Sequence, residues 1–215
     1  MLYIVTFGLL PSGCGSDAPP VNYPPPEVSM AASAWAFEIA LGVPKNPTQA
    51  GAGWEFKFPD CGGTNTCSVN YLTTASPALT VARTVRAKIA TTGASSDKYI
   101  YKLKADNVCD VPATARFYFQ RAGDTGQDEF GRWWAINGFV LGTGATTLTT
   151  DLLPENWSSV YGKRGDSSDT ARQAFVAALT NAGRIGFTFG GGCFYGHGTN
   201  VLGEATFKAE SYTTR

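Results

Sequence analysis

Apolar and polar positions alternate with a period of two along most of this chain, the signature of strands that bury one face. Trp35, Phe37, Ile39 and Leu41 alternate with Ala36, Glu38 and Ala40, and Trp54, Phe56 and Phe58 alternate with Glu55 and Lys57. The same reading predicts strands over 68–73, 79–91, 98–105, 115–120, 132–141 and 148–153. Two more close the chain. Ile185, Phe187 and Phe189 alternate with small or polar neighbours, and Phe207, Ala209 and Ser211 alternate with Thr206, Lys208 and Glu210. Arg83 shares the parity of Val81 and Val85, so it faces either the core, where it needs a partner, or a ligand-bearing sheet face. Trp133 and Trp134 are neighbours on one strand and must point to opposite faces. One belongs to the core; the other needs a second apolar layer, a ligand or solvent.

A single segment changes period. Ala171, Ala174, Phe175, Ala178 and Leu179 recur at helical spacing after Ser168 and Asp169, either of which can cap a helix, and Asn181 and Gly183 can end it. Roughly ten strands and one short α-helix, without long βαβ alternation, predict an all-β fold: a two-sheet antiparallel β-sandwich, or jelly roll.

Composition narrows the function classes. The 215 residues can bury one large core, with domain boundaries at 1–14, 15–27 and 28–215. Lys+Arg and Asp+Glu both number 17, and no basic stripe runs through the chain, which argues against nucleic acid as a partner. Aromatic residues reach 13%, five of them Trp. Most should fill the core, which leaves one or two to stack on a flat ligand such as a sugar ring.

Five cysteines in a chain with few charges point to an oxidising compartment. Cys61 and Cys67 enclose a short turn-forming run and form the expected pair, which leaves Cys109 to Cys193 and Cys14 to spare. Residues 2–10 form an apolar run too short to span a bilayer, ending at Leu10-Pro11-Ser12-Gly13-Cys14. That ending resembles a bacterial lipobox, which implies lipidation of Cys14 and an outer-membrane anchor, or secretion to the cell surface. Pro11 replaces the usual aliphatic residue, and no Lys or Arg precedes the run. The Pro-rich stretch 15–27 reads as a tether.

Candidate chemistry is sparse. His197 is the only histidine, and no G-x-S-x-G elbow accompanies it. In a loop holding Gly190, Gly191, Gly192, Cys193, Gly196 and Gly198, it reads first as a brace for that loop. No two carboxylates pair from spacing alone, as glycoside cleavage requires. Asp124, Asp128 and Glu129 share a polar loop that either is merely solvated or holds a structural calcium. Arg164-Gly165-Asp166 spells an integrin-type tripeptide in a Gly/Ser/Asp-rich loop, where chance is the simpler explanation.

The run Trp157 to Gly162, then the helix with Phe175, then 185–198 and a final strand 205–212 together resemble the C-terminal half of galactose-binding-like jelly rolls. These occur as carbohydrate-binding modules of secreted bacterial proteins. The resemblance implies a glycan or polysaccharide as partner, bound by exposed aromatics with Arg, Asp or His around them. Carried onto this chain, it makes Trp133 or Trp134, Trp157, Tyr195, Arg132, Asp128 and His197 the ligand-binding candidates. Two alternatives stay open: a polysaccharide lyase or glycoside hydrolase on the same fold, and a structural or adhesive surface subunit.

Overall fold

The computed structural model describes residues 28–64, 66–81, 83–105, 109–142, 144–191 and 195–215. The leader-like segment with Cys14, the tether 15–27 and Cys193 lie outside the described residues. The strands run in chain order as β1 Ala36–Leu41, β2 Thr48–Ala50, β3 Gly53–Lys57, β4 Ser68–Ala75, β5 Thr84–Thr92, β6 Tyr99–Ile100, β7 Ala113–Arg121, β8 Arg132–Ala135, β9 Phe139–Val140, β10 Ala145–Asp151, β11 Trp157–Ser159, β12 Ala182–Gly191, β13 Asn200–Val201 and β14 Thr206–Thr214. A helical turn, α1, spans Lys102–Ala105, and the one longer helix, α2, spans Asp169–Thr180.

Strands β6 and β13 pair in a separate two-stranded sheet, while the other twelve strands build two packed antiparallel sheets. The larger has the order β1-β4-β12-β7-β8-β11, with β9 also paired to β7; the smaller has the order β10-β5-β14-β3-β2. Eight of these strands carry the topology. Numbered afresh along the chain, β3, β4, β5, β7, β8, β10, β12 and β14 run 1-8-3-6 in the smaller sheet and 2-7-4-5 in the larger. This interleaving, in which each sheet takes strands from both halves of the chain, is the jelly-roll form of the β-sandwich. Strands β1, β2 and β11 widen the sheets at their edges.

The core between the sheets is aromatic, as the alternation predicts. Phe187 of β12 lies at its centre, with ring centroids 5.4–6.1 Å from those of Trp35, Trp54, Phe117, Phe207 and Tyr212. All six side chains are buried. Helix α2 closes one end. Ser168 caps it through its hydroxyl, which accepts the Ala171 N–H at 3.1 Å, and Phe175 packs on Phe119, Trp133 and Trp157. The helix buries Ala171, Phe175, Ala178 and Leu179, the face that its periodicity predicts.

Besides β1, whose Ile39 and Leu41 are exposed where the alternation predicts burial, three stretches differ from their alternation. Residues 98–105 form a two-residue strand followed by α1, not a long strand. The Tyr101 hydroxyl hydrogen-bonds the carbonyls of Cys109 (3.0 Å) and Val111 (2.6 Å), which draws the chain out of the sheet. Strand β5 begins at Thr84, so Arg83 lies before it and faces neither the core nor a sheet surface from within a strand. Its carbonyl accepts the Leu152 N–H at 2.7 Å. Residues 132–141 split into β8 and β9, because the Arg116 guanidinium fills the break between them and donates to the carbonyls of Ala135 (3.2 Å) and Ile136. Gly138 makes room there, since a Cβ would sit 2.8 Å from Arg116 Cγ.

Cys61 and Cys67 form a disulfide, as their spacing predicts. Cys109 is disulfide-bonded too; its expected partner, Cys193, is outside the described residues. No described helix is long and apolar enough to cross a membrane.

Truncating Phe187 to Ala should cost about 3–5 kcal/mol, since a fully buried ring leaves a cavity between two stiff sheets. Tyr161→Ala, at a residue 72% exposed, should change stability by less than about 0.5 kcal/mol. Urea unfolding of both variants checks the contrast.

Candidate functional site

The outer face of the larger sheet carries a second aromatic group, separate from the core. It consists of Tyr71, Tyr118 and Trp134, with Val160 and Tyr195 packed against them. Its geometry follows from the middle strand. Strands β4 and β7 flank β12, so their backbones stand roughly 9–10 Å apart. The Tyr71 and Tyr118 rings nevertheless approach to 4.8 Å between centroids. They meet by leaning over β12, where Gly186 pairs with Thr73 on one side and Tyr118 on the other. No side chain at 186 stands between them, and a Cβ there would collide with the Leu72 carbonyl oxygen.

The turn 195–198 sits on this face because two glycines allow it. A Cβ at Gly196 would collide with the Tyr71 hydroxyl, and one at Gly198 with the Asn70 side chain. Asn70 ties the turn down: its Nδ2 donates to the Gly196 carbonyl at 3.3 Å, and the Ser68 hydroxyl donates to its Oδ1 at 2.7 Å. The Gly198 N–H donates to the Phe189 carbonyl at 2.9 Å. The turn thereby brings Tyr195 and His197 over the sheet.

Together these elements enclose a cavity of about 300 Å³. It is lined by Ile39, Asn70, Tyr71, Arg132, Trp134, Val160, Tyr195, Gly196 and His197. Ile39 is exposed and held at φ 53°, a backbone conformation that a β-branched residue rarely adopts. Arg132 is anchored from behind. Its Nη2 donates to the Gly126 carbonyl at 2.7 Å, and its Nε lies 3.6 Å from Asp124 Oδ2. A relay continues from Asp124 to Gln120 Nε2 (2.9 Å) and from Gln120 Oε1 to the Tyr118 hydroxyl (3.0 Å). The Trp134 indole N–H is buried and faces the Tyr71 hydroxyl without completing a hydrogen bond of standard geometry.

Burial pushes the Tyr71 phenol up, offset in part by Arg132 and the Trp134 N–H facing it. Burial also holds the His197 imidazole below its usual value of 6.5, helped by the Lys102 ammonium. Arg116 lies beneath the site, its guanidinium 4.0 Å from the centroid of the Tyr195 ring.

Of the sequence-predicted site residues, Arg132, Trp134, Tyr195 and His197 converge on this cavity. Trp133 and Trp157 do not. Both are core residues, 0% and 1% exposed, with indole N–H groups donated to the carbonyls of Phe130 (3.0 Å) and Asp151 (2.9 Å). Trp133 and Trp134 diverge as strand parity requires. Asp128 also lies elsewhere, paired with Arg121 at 2.5 Å and accepting the Phe130 N–H at 2.8 Å; these contacts hold its carboxyl below the ordinary range. Sequence reasoning missed Asn70, Tyr71 and Arg116. They lie on predicted strands, but only the register across β12 places them beside the loop.

The loop acids do not fit a calcium site. Asp124 is bound by Arg132 and Gln120, Asp128 by Arg121, and Glu129 lies 2.9 Å from Lys163. Among the described residues no group of three or more His, Cys, Asp or Glu could hold a metal. The Arg164-Gly165-Asp166 tripeptide is folded on itself, with both Asp166 oxygens 3.0 Å from the Arg164 guanidinium. A second recess of about 320 Å³ lies on the smaller sheet, between residues 50–53 and Lys88, Lys208, Glu210 and Ser211; it has no aromatic lining.

The molecule is thus a jelly-roll β-sandwich with a polar, aromatic-lined recess on one sheet face. Searches against protein-family models, curated proteins and solved structures each returned no match. The resemblance to galactose-binding-like modules therefore extends to the β-sandwich and stops there.

The single imidazole gives one unambiguous pH observable. Its folded pKa lies below 6.5, so the unfolded chain binds this proton first as pH falls. Stability contributed by neutral His197 is complete above 6.5 and drains away as pH falls from there to the folded value. An NMR titration of the imidazole should give a midpoint below 6.5, and His197→Gln should flatten that part of the stability profile.

Proposed function

We propose that this protein binds carbohydrate in the outer-face cavity. The observation that supports this reading is the meeting of Tyr195, Trp134 and Tyr71 with Asn70, Arg132 and His197 in one recess. A sugar offers an apolar ring face and a rim of hydroxyls, and it needs both kinds of partner at once. The volume stands at the low end of the roughly 300–1,000 Å³ usual for small-molecule sites, which suits one or two sugar residues. Trp134 and Tyr71 are almost fully buried and form the floor. Tyr195 is the half-buried ring, and Arg116 covers one of its faces, so a sugar stacks on the opposite one. The disulfide at Cys61–Cys67 agrees with a secreted or cell-surface location.

A second reading keeps the site and adds chemistry: a lyase cleaving a polysaccharide. The convergence of Tyr71, Tyr195 and His197 favours it, because phenol and imidazole are proton carriers and the imidazole is held toward its neutral, basic form. Glycoside hydrolysis by paired carboxylates fits less well, since no Asp or Glu is among the lining residues.

A glycan array separates these outcomes. Binding by the wild type should weaken about tenfold or more in Tyr195→Ala and Asn70→Ala, a loss of about 1.4 kcal/mol or more. Trp133→Ala should instead lower the melting temperature. Wild-type protein that binds no glycan, or Tyr195→Ala and Asn70→Ala variants that bind as the wild type does, would remove the proposal. New reducing ends accompanied by unsaturated, ultraviolet-absorbing non-reducing ends in polysaccharide incubated with the wild type, absent with His197→Gln, would select the lyase.

A further inference from the structure

The charges around the cavity are unbalanced, although the whole chain is neutral, with 17 basic and 17 acidic residues. Arg132 and His197 line the recess without a carboxylate among their fellow lining residues. Arg116, 7% exposed, stands behind Tyr195. Its donors reach neutral acceptors: the Thr114 hydroxyl at 3.1 Å and the carbonyls of Ala135 and Ile136. No Asp or Glu among the described residues lies within ion-pair distance of it. The exposed Lys102 is near enough to act on the His197 imidazole. Of the described carboxylates around the floor, Asp124 is matched by Arg132, Glu38 by Arg184 and Glu129 by Lys163. Among the described residues no carboxylate pairs with Arg116 or Lys102, so both are surplus cations beside a half-enclosed recess, where low dielectric strengthens their field.

We infer that the cavity selects an acidic saccharide, one whose ring carries a carboxylate or a sulfate, over its neutral counterpart. This rests on the carbohydrate reading and names the class of sugar. The anionic group lies toward Arg132, whose Nε and Nη2 edge is held by Asp124 and the Gly126 carbonyl, so the guanidinium is oriented before the ligand arrives. Asn70 and His197 serve the hydroxyls, and Tyr195 the ring face. The site thus divides into a charged end and a stacking wall.

Calorimetric titration of the full chain with three probe sets tests it: uronate oligosaccharides from pectate and alginate, sulfated oligosaccharides from carrageenan, and neutral oligosaccharides from galactan and cellulose. One acidic set should bind at least about tenfold tighter than any neutral one, and the preference should shrink as salt screens the cavity. The set that wins identifies carboxylate or sulfate as the anion. Lys102→Gln, at an exposed position that leaves the fold intact, should reduce the preference about threefold with the melting temperature unchanged. Arg132→Lys, which keeps a charge but loses the planar fork, should reduce it further. Neutral oligosaccharides bound as tightly as acidic ones would overturn the inference and leave the carbohydrate reading standing. No binding by any of the three sets would end both.

Discussion

The structure turns on two adjacent residues in the middle of the larger sheet. Phe187 fills the space between the sheets and touches aromatic rings from both. Gly186, one position earlier, points the other way and puts nothing on the outer face. The first residue is where the core gathers; the second lets Tyr71 and Tyr118 close over β12 and form the floor of the cavity. Fold and site thus share one strand. A side chain at 186 would collide with the Leu72 carbonyl and force β4 and β12 apart beneath the two tyrosines.

Strand parity also explains why a chain so rich in aromatics keeps two separate groups of them. The inner set excludes water and supplies the stability, at about 1.5–3 kcal/mol for each fully buried large apolar side chain. The outer set contains ring hydroxyls and an indole N–H, and guanidinium groups surround it. Tyr118, Gln120, Asp124 and Arg132 form one continuous hydrogen-bonded and ionic path, so the outer floor is held by polar contacts as well as by packing. A rigid floor beneath a turn held by Asn70 suits recognition, because little side-chain freedom remains to be lost on binding.

Much of the sandwich is legible in the sequence because it is written in local alternation. The strands around Phe56, Phe117, Trp133 and Phe187, and the amphipathic helix with its Ser168 cap, need no knowledge of distant residues. The opposed faces of Trp133 and Trp134 follow from the same rule. Which of the two points outward does not, because parity fixes a difference and not a direction. Residues 98–105 misled for the same reason: a clean alternation was overridden by the Tyr101 hydroxyl reaching Cys109 and Val111. The site is less legible than the fold. Asn70 holds the turn at Gly196 and accepts the Thr188 hydroxyl at its carbonyl, both through register between strands more than one hundred residues apart, and one sequence holds no trace of that pairing. Asp128 and Trp157 looked equally suitable until the structure gave the first to Arg121 and the second to the core.

On the carbohydrate-binding proposal, the outer face of the larger sheet, and not its loops at large, is the surface that meets a ligand. NMR chemical-shift mapping during titration with the tightest-binding oligosaccharide tests this directly. Perturbations should concentrate on the Trp134 indole N–H, the 195–198 turn, Asn70 and the Arg132 side chain, while the indoles of Trp133 and Trp157 stay still. Shifts centred on the recess of the smaller sheet, around Lys88 and Lys208, would contradict it.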